Sequence, residues 1–196
     1  LAALMVFMVA AGVARADAPI VNSDFETGDL AGWTQFTTTN GAMAGGSFLA
    51  VFFDVLQGTV SRAVQFVVGQ DGTSGLGQEG GGIFQDVDLE TGVLTMSADI
   101  GVHRAAGAVG GGGFNGQAGI FQLLVDGVVV DTHDFGAISF SGETKHDSLT
   151  AALSNVSSGT HEIHFLITGA GLPDTLLGQY IDNVAVSLSA NGLALS

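Results

Sequence analysis

The chain has 196 residues, 46% of them hydrophobic, which is enough for one domain with a buried core. Its net charge of −15 with only four Lys and Arg argues against nucleic acid or an anionic membrane as partner, because both require clustered cations. The 31 glycines have no three-residue period, which excludes collagen and favours a loop-rich β architecture.

The N-terminal residues 1–18 have the pattern of a secretory signal peptide. In LAALMVFMVAAGVARADA, an apolar run precedes small residues at Ala14, Ala16 and Ala18, as at an A-x-A-type cleavage site. The run is short for a transmembrane span. We therefore expect a secreted or cell-surface protein, with no membrane insertion after cleavage. The chain has no cysteine, so this exported domain would use no disulfides.

Residues 19–190 are predicted to form one all-β domain, followed by a tail over 191–196. Hydrophobic residues recur with period two rather than 3.6, for example in GVLTMSADIGV (92–102) and HEIHFLIT (161–168). The pair Asp126-Gly127 separates two apolar runs and predicts a two-residue hairpin turn. Further strands are predicted over residues 32–38, 48–55, 59–68, 83–89 and 179–188.

These short strands predict an antiparallel β-sandwich of the jelly-roll type. An antiparallel sheet with one apolar face must bury that face against a second layer. Two glycine-rich stretches, 69–82 and 107–119, interrupt the strand pattern and are predicted to be long loops.

The last predicted strand contains a carboxylate on a face that is otherwise apolar or aromatic. Asp182 shares this face, by alternation, with Tyr180, Val184, Val186 and Leu188. If the face is buried, an unpaired charge at Asp182 would be costly. Backbone N–H groups or a hard cation such as Ca²⁺ could compensate it. Terminal strands of a sandwich are often neighbours, so Glu26 or Asp24 could lie close to Asp182.

Three motifs resemble the galactose-binding-like β-sandwich of carbohydrate-binding modules, which also occurs in bacterial exported proteins that carry a PEP sorting signal. They are VNSDFETGDLAGW, GGIFQDVDLETGVLTMSADI and QYIDNVAVSL, in this order along the chain. The resemblance implies a structural Ca²⁺ held by Glu26, the acidic residue after Phe25, and by Asp182 of the IDN motif. Backbone carbonyls near Gly28 or Asn22 would complete its ligands.

The aromatic residues have two interpretations each. Trp33 is predicted to pack at the edge of the core, and the alternative is stacking on a sugar ring. Phe48, Phe52 and Phe53 point to both sides of their strand, so some are core and the others could form an exposed aromatic strip.

Catalytic and zinc-binding patterns are weak. Asp86 and Asp88 could act as the acid and base of a glycosidase, but alternation makes them solvated strand residues. The HEIH sequence is not the HExxH zinc motif, and His161 and His164 would point to opposite faces of a strand.

We therefore expect a non-catalytic, extracellular module that binds a polysaccharide or cell-surface glycan. Its candidate ligand-binding residues are Phe114, Asn115, Gln117, Gln122 and Asp99. The alternative is a structural or matrix protein of the cell envelope or biofilm that acts through protein contacts, including self-association.

Overall fold

The computed structural model of the protein describes residues 15–17, 20–72, 79–106, 116–139, 142–169 and 171–190. The predicted signal peptide, apart from residues 15–17, and the predicted tail 191–196 lie outside these described residues. In the part of the chain that is described, no helix has the length and apolar character needed to cross a membrane.

All regular structure in the described residues is β-structure. The strands are β1 (Arg15–Asp17), β2 (Thr34–Thr37), β3 (Gly41–Met43), β4 (Leu49–Phe53), β5 (Ser61–Phe66), β6 (Val68–Gln70), β7 (Glu79–Leu89), β8 (Gly92–Arg104), β9 (Ile120–Val125), β10 (Val128–Asp134), β11 (Thr144–Val156), β12 (Gly159–Gly169) and β13 (Leu177–Ser189).

Two antiparallel sheets form the body of the domain. One has the order β11-β8-β13-β5-β4, with β1 also paired to β13, and the other has the order β10-β9-β12-β7-β2. A small third sheet pairs β3 with β6. From β7 to β13 every connection changes sheet except the β9–β10 hairpin, which is a jelly-roll arrangement. The predicted all-β antiparallel sandwich is therefore confirmed.

The core lies between the two sheets. In β8 every second side chain from Leu94 to Val102 is buried, and it meets buried side chains of the other sheet such as Phe121 and Phe165. Burying one such Leu, Ile or Phe side chain contributes about 1.5–3 kcal/mol. The period-two pattern of the sequence is the direct consequence of this one-sided burial.

Several parts of the strand pattern differ from the sequence expectation, which did not include β1, β3 or β11. The hydrophobic periodicity did not predict β11. This edge strand has mostly short polar residues at its exposed positions, and its apolar residues are mostly small or half-buried, so the alternation is weak. Residues 79–82 of the predicted loop 69–82 belong to β7, and 69–70 belong to β6. Residues 73–78 lie outside the described part of the chain, as do 107–115 of the second predicted loop.

The predicted Asp126-Gly127 hairpin turn is confirmed. Both residues have positive φ, 50° and 75°, as the tight turn between β9 and β10 requires. The Asp126 carboxylate also ties this turn to β12, because it accepts a hydrogen bond from the Glu162 N–H at 2.9 Å and lies 2.7 Å from Nδ1 of His161. Nε2 of His161 lies 2.9 Å from the carbonyl oxygen of Ser157.

These contacts favour the charged forms of both partners. The hydrogen bond to Asp126 raises the pKa of His161 above 6.5, against a smaller opposing effect of burial. Burial opposes ionisation of Asp126, but its hydrogen bonds with Glu162 and His161 outweigh this effect and lower its pKa below 3.8.

We predict a pH-dependent contribution of this pair to stability. It is present in full between pH 3.8 and 6.5, is lost as the pH rises through the raised pKa of His161, and is lost as the pH falls through the lowered pKa of Asp126. Because Asp126 is half-exposed, solvent screening limits the contribution to about 1 kcal/mol or less.

A double-mutant cycle of His161→Gln and Asp126→Asn, measured by urea unfolding at about pH 5 and about pH 8, tests this prediction. The coupling energy should be larger at the lower pH. A coupling energy that is equal at the two pH values would show that the pair is not an ion pair.

Candidate functional site

A bulge in β13 controls where the buried carboxylate lies. The pairing register of β13 with β8 shifts between Asp182 and Ala185, and Asn183 has a φ of 49°. Before the bulge, Ile181 faces the core between the sheets, and after it the core-facing side chains are Val184, Val186 and Leu188.

The prediction that Asp182 shares one face of the last strand with Val184, Val186 and Leu188 is therefore wrong. Tyr180 and Asp182 lie on the outer side of the six-stranded sheet, where Asp182 pairs with Asp99. Val184, Val186 and Leu188 lie on the inner side. Alternation fails here because the bulge adds a residue to one strand of the pair.

Asp182 is nevertheless fully buried, because the chain between β4 and β5 folds back over the outer side of the sheet. The Ser61 hydroxyl donates a hydrogen bond to Asp182 Oδ2 at 2.5 Å, and the Asn183 N–H donates to Oδ1 at 2.7 Å. The pKa of Asp182 is raised to about 6, chiefly by burial and also by the charges of Asp99 and Glu26, although the two hydrogen bonds act in the opposite direction.

The N-terminal segment reaches the same place. The Ser23 carbonyl accepts a hydrogen bond from the Val184 N–H at 2.8 Å, which fixes this segment to the β13 bulge. Glu26 Oε1 accepts from the Arg62 N–H at 2.7 Å. Because Ser61 and Arg62 are consecutive, the carboxylates of Glu26 and Asp182 both converge on the first two residues of β5.

The other two predicted metal ligands lie in the turn that precedes β2. The Asn22 carbonyl accepts a hydrogen bond from Trp33 Nε1 at 3.1 Å, and the Asn22 side chain bonds to Asp29 and Thr27. Gly28 has a φ of 82° and donates its N–H to the Phe25 carbonyl. Both residues thus stabilise the turn that carries Glu26.

The donor set at this junction suits a hard cation, since it consists of carboxylate, hydroxyl and carbonyl oxygens. Within the described ranges, no group of three or more His, Cys, Asp or Glu side chains is arranged to hold a metal ion. A Ca²⁺ held by Glu26 and Asp182 would therefore need backbone oxygens for the rest of its ligands.

The outer face of the five-stranded sheet carries a second group of side chains, which sequence reasoning did not identify. We call it the aromatic face and define it by Phe36 of β2, Phe84 of β7, His164 and Leu166 of β12, and Gln122 of β9. In the register of the sheet, His164 pairs with Phe84, and Leu166 pairs with Gln122.

The aromatic rings of this face pack around His164. The ring centroids of Phe36 and His164 are 4.7 Å apart with an interplanar angle of 23°, and those of Phe84 and His164 are 4.8 Å apart at 80°. Phe36 pairs with Gly82 of β7, and the missing side chain at Gly82 lets the Phe36 ring extend across β7 to β12. A Cβ atom at Gly82 would overlap the carbonyl oxygen of Phe165.

His164 provides an uncharged polar group within this cluster. Burial lowers its pKa below 6.5, although the negative charges of Glu162 and Asp86 act in the opposite direction. Its Nε2 atom is buried, makes no hydrogen bond in the described structure, and lies 3.5 Å from Glu162 Oε1. His161 points to the opposite side of β12, towards Asp126, as the alternation predicted.

The predicted ligand-binding residues do not form one site. Gln122 is half-buried on the aromatic face, whereas Asp99 lies on the six-stranded sheet and accepts a hydrogen bond from Asn183 Nδ2 at 2.8 Å. Gln117 is exposed and forms a β-bridge with Ala137. Phe114 and Asn115 lie outside the described residues.

The remaining aromatic predictions are resolved by burial. Trp33 is 7% exposed and packs between Phe25 and Phe165, both at 5.9 Å, so its predicted place at the core edge is confirmed. Phe48 packs on the core, while Phe52 is 65% exposed. Strand β4 and the following loop thus carry four large exposed apolar side chains, which are Leu49, Phe52, Leu56 and Val60.

No protein-family model matches the chain, and no curated protein sequence matches it. Among solved structures, the chain is similar to the Stig cyclase Fisc from Fischerella sp. TAU, with a TM-score of 0.49 and 16% identity over 91% of this chain and 100% of that chain. The comparison thus reaches nearly the whole length of both chains.

Two carbohydrate-binding modules are also similar to it. TmCBM61, solved with beta-1,4-galactotriose, has a TM-score of 0.45 and 18% identity over 85% of this chain and 95% of that chain. The CBM22-1 xylan-binding domain of Paenibacillus barcinonensis Xyn10C has a TM-score of 0.45 and 15% identity over 86% and 93%. The similar solved structures thus include a cyclase and two carbohydrate-binding domains.

Proposed function

We propose that the protein is a non-catalytic, extracellular module that binds a neutral saccharide on its aromatic face. The observation that carries this proposal is the cluster of Phe36, His164 and Phe84 beside the amide of Gln122. Aromatic rings offer apolar surface to the C–H groups of a pyranose, and amide and imidazole groups can bond to its hydroxyls. The half-buried amide of Gln122 is one such group.

The charge around this face supports a neutral rather than an acidic saccharide. Glu162 and Asp86 lie next to His164, and their charges act on its pKa. The chain also carries a net charge of −15. A uronic acid or sulfated polysaccharide would be repelled at short and at long range.

We predict that Phe36→Ala weakens binding at least fivefold, because the ring would lose about 1 kcal/mol or more of stacking energy. Glycan-array screening followed by calorimetry with the strongest neutral glycan measures this change. Phe52→Ala is the matched control, because it removes an exposed ring from the other sheet.

Equal losses for Phe36→Ala and Phe52→Ala would contradict the proposal, as would binding of acidic glycans in preference to neutral ones. A variant at Gln122, such as Gln122→Leu, tests the polar half of the face. It keeps the side-chain volume but removes the amide, so it should weaken binding while leaving the melting temperature unchanged.

We further propose that a structural Ca²⁺ binds where Glu26 and Asp182 converge on β5. The donor types support this, and so does the position of a buried carboxylate beside two other acidic residues. The ion would join the N-terminal turn, β5 and β13, and would neutralise charge that hydrogen bonds alone leave in place.

Removing Ca²⁺ with a chelator should lower the melting temperature. At a free Ca²⁺ concentration of about 100 times Kd the ion contributes about 2.7 kcal/mol, which corresponds to roughly 5–10 °C for a domain of this size. Glu26→Gln should abolish the difference between chelated and Ca²⁺-loaded protein, whereas Asp86→Asn, which neutralises an exposed carboxylate, should preserve it. Melting curves of the wild-type protein that do not respond to the chelator would contradict a bound Ca²⁺.

The exposed apolar side chains of β4 and its position at the edge of a sheet favour a second candidate function, self-association. The five residues of β4 are uncharged, and β4 ends its sheet. Of the other sheet edges, β11 carries Lys145 and Asp147, and β10 carries Asp131 and Asp134 together with a bulge, whereas β2 is also uncharged but is shorter than β4. Such features prevent edge pairing, and β4 has neither of them. A second copy could therefore pair its own β4 antiparallel to this strand about a twofold axis.

Sedimentation velocity at rising protein concentration tests this candidate. The wild-type protein should form a dimer that Phe52→Lys disrupts. Val128→Lys is the matched control, since Val128 is also 65% exposed but lies in the β9–β10 hairpin. A protein that stays monomeric at all concentrations would contradict self-association through β4.

A further inference from the structure

A pocket of about 450 Å³ lies on the outer side of the six-stranded sheet, on the opposite side of the sandwich from the aromatic face. It is bounded by the end of β4 and the loop after it, and by the adjoining ends of β8 and β11. Its lining combines three apolar with four polar side chains, which are Phe52, Phe53, Val60, Asp54, His103, Thr144 and His146.

Several walls of this pocket are fixed by contacts behind them. The Phe53 ring stacks on Tyr180 with centroids 3.7 Å apart at 8°, and its centroid lies 6.2 Å from that of His146 at 21°. His146 Nδ1 donates a hydrogen bond to the Val55 carbonyl at 2.8 Å. His103 Nδ1 is hydrogen-bonded to the Thr144 hydroxyl at 2.8 Å. The site is therefore formed before any ligand arrives.

Asp54 supplies the charge of the pocket. Both of its carboxylate oxygens lie within hydrogen-bonding distance of one donor, the Gly58 N–H, at 2.9 and 2.8 Å. This contact orients the carboxylate at the start of the loop. One N–H cannot saturate the lone pairs of two carboxylate oxygens, so Asp54 keeps the capacity to accept further hydrogen bonds.

The aromatic wall is suited to positive charge. The Arg62 guanidinium already lies over the Phe52 ring, with its carbon 4.4 Å from the ring centroid. The π face of an aromatic ring attracts cations of this kind. Asp54 provides a carboxylate for an ammonium ion, and the Phe53 ring beside it on the outer side of the sheet provides apolar surface for the body attached to that ion.

We propose that this pocket binds a small organic cation, a protonated primary amine attached to an apolar or aromatic body. The ammonium group would bond to Asp54, and the body would pack against Phe53 and Val60. The net charge of −15 would raise the local concentration of such a cation around the protein. The inference does not depend on saccharide binding, because it uses residues of the other sheet.

Phenethylammonium and phenethyl alcohol are suitable probes, since they have the same shape and differ in charge. Titrations of the full chain followed by NMR measure both affinities. Phenethylammonium should bind at least tenfold more tightly than the alcohol and should shift the amide signals of Phe53, Asp54, His103 and Thr144. A charge-assisted hydrogen bond typically provides a difference of about this size.

Asp54→Asn should remove most of this preference, while its amide oxygen can still accept from the Gly58 N–H. Glu90→Gln is the control for the overall charge. Glu90 is exposed in the turn before β8, so it lies at the far end of that strand from His103, about 35 Å away.

Three results would overturn the proposal. They are equal affinities for the ammonium and the alcohol, an equal loss in Asp54→Asn and Glu90→Gln, and signal shifts confined to other parts of the molecule. The second of these would show that the probe responds only to the net charge of the protein. None of these results would contradict the proposal that the aromatic face binds a saccharide.

Discussion

The burial of the Asp182 carboxylate constrains most of this structure. The bulge at Asn183 turns Asp182 out of the inter-sheet core, and the loop after β4 then covers it, with Ser61 and the Asn183 N–H as its hydrogen-bond donors. The same bulge gives the N-terminal segment its anchor, because the Val184 N–H bonds to Ser23. One local irregularity thus fixes β13, β5 and the entry of the chain into the sandwich.

This arrangement leaves the two outer surfaces of the sandwich different. The loop after β4 covers part of the six-stranded sheet, creates the pocket beside Phe53 and leaves Phe52 exposed at an open strand edge. The central part of the five-stranded sheet instead presents its aromatic side chains at the surface. The buried Asp182 and the loop that covers it therefore lie on one side of the molecule. The face that we propose binds a saccharide lies on the other side.

The sequence predicts local features better than features that depend on distant residues. The Asp126-Gly127 turn and the alternation in β8 follow from adjacent residues, and both predictions are confirmed. The prediction for the face of Asp182 is wrong because the alternating pattern contains no signal for the bulge at Asn183. The aromatic face is missed because Phe36, Phe84 and His164 come from three strands that meet only in the folded sheet. A signal was nevertheless present, since Phe84 and His164 occupy the outward positions of their strands, where polar residues are expected.

The central claim is that the open face of the five-stranded sheet is the binding surface. Mapping of amide chemical-shift changes during titration with the neutral glycan that binds best on the array tests this claim most directly. The account predicts that the largest changes occur in β2, β7, β9 and β12, around Phe36, Phe84, Gln122 and His164. Changes confined to the six-stranded sheet or to the N-terminal turn around Glu26 would contradict it.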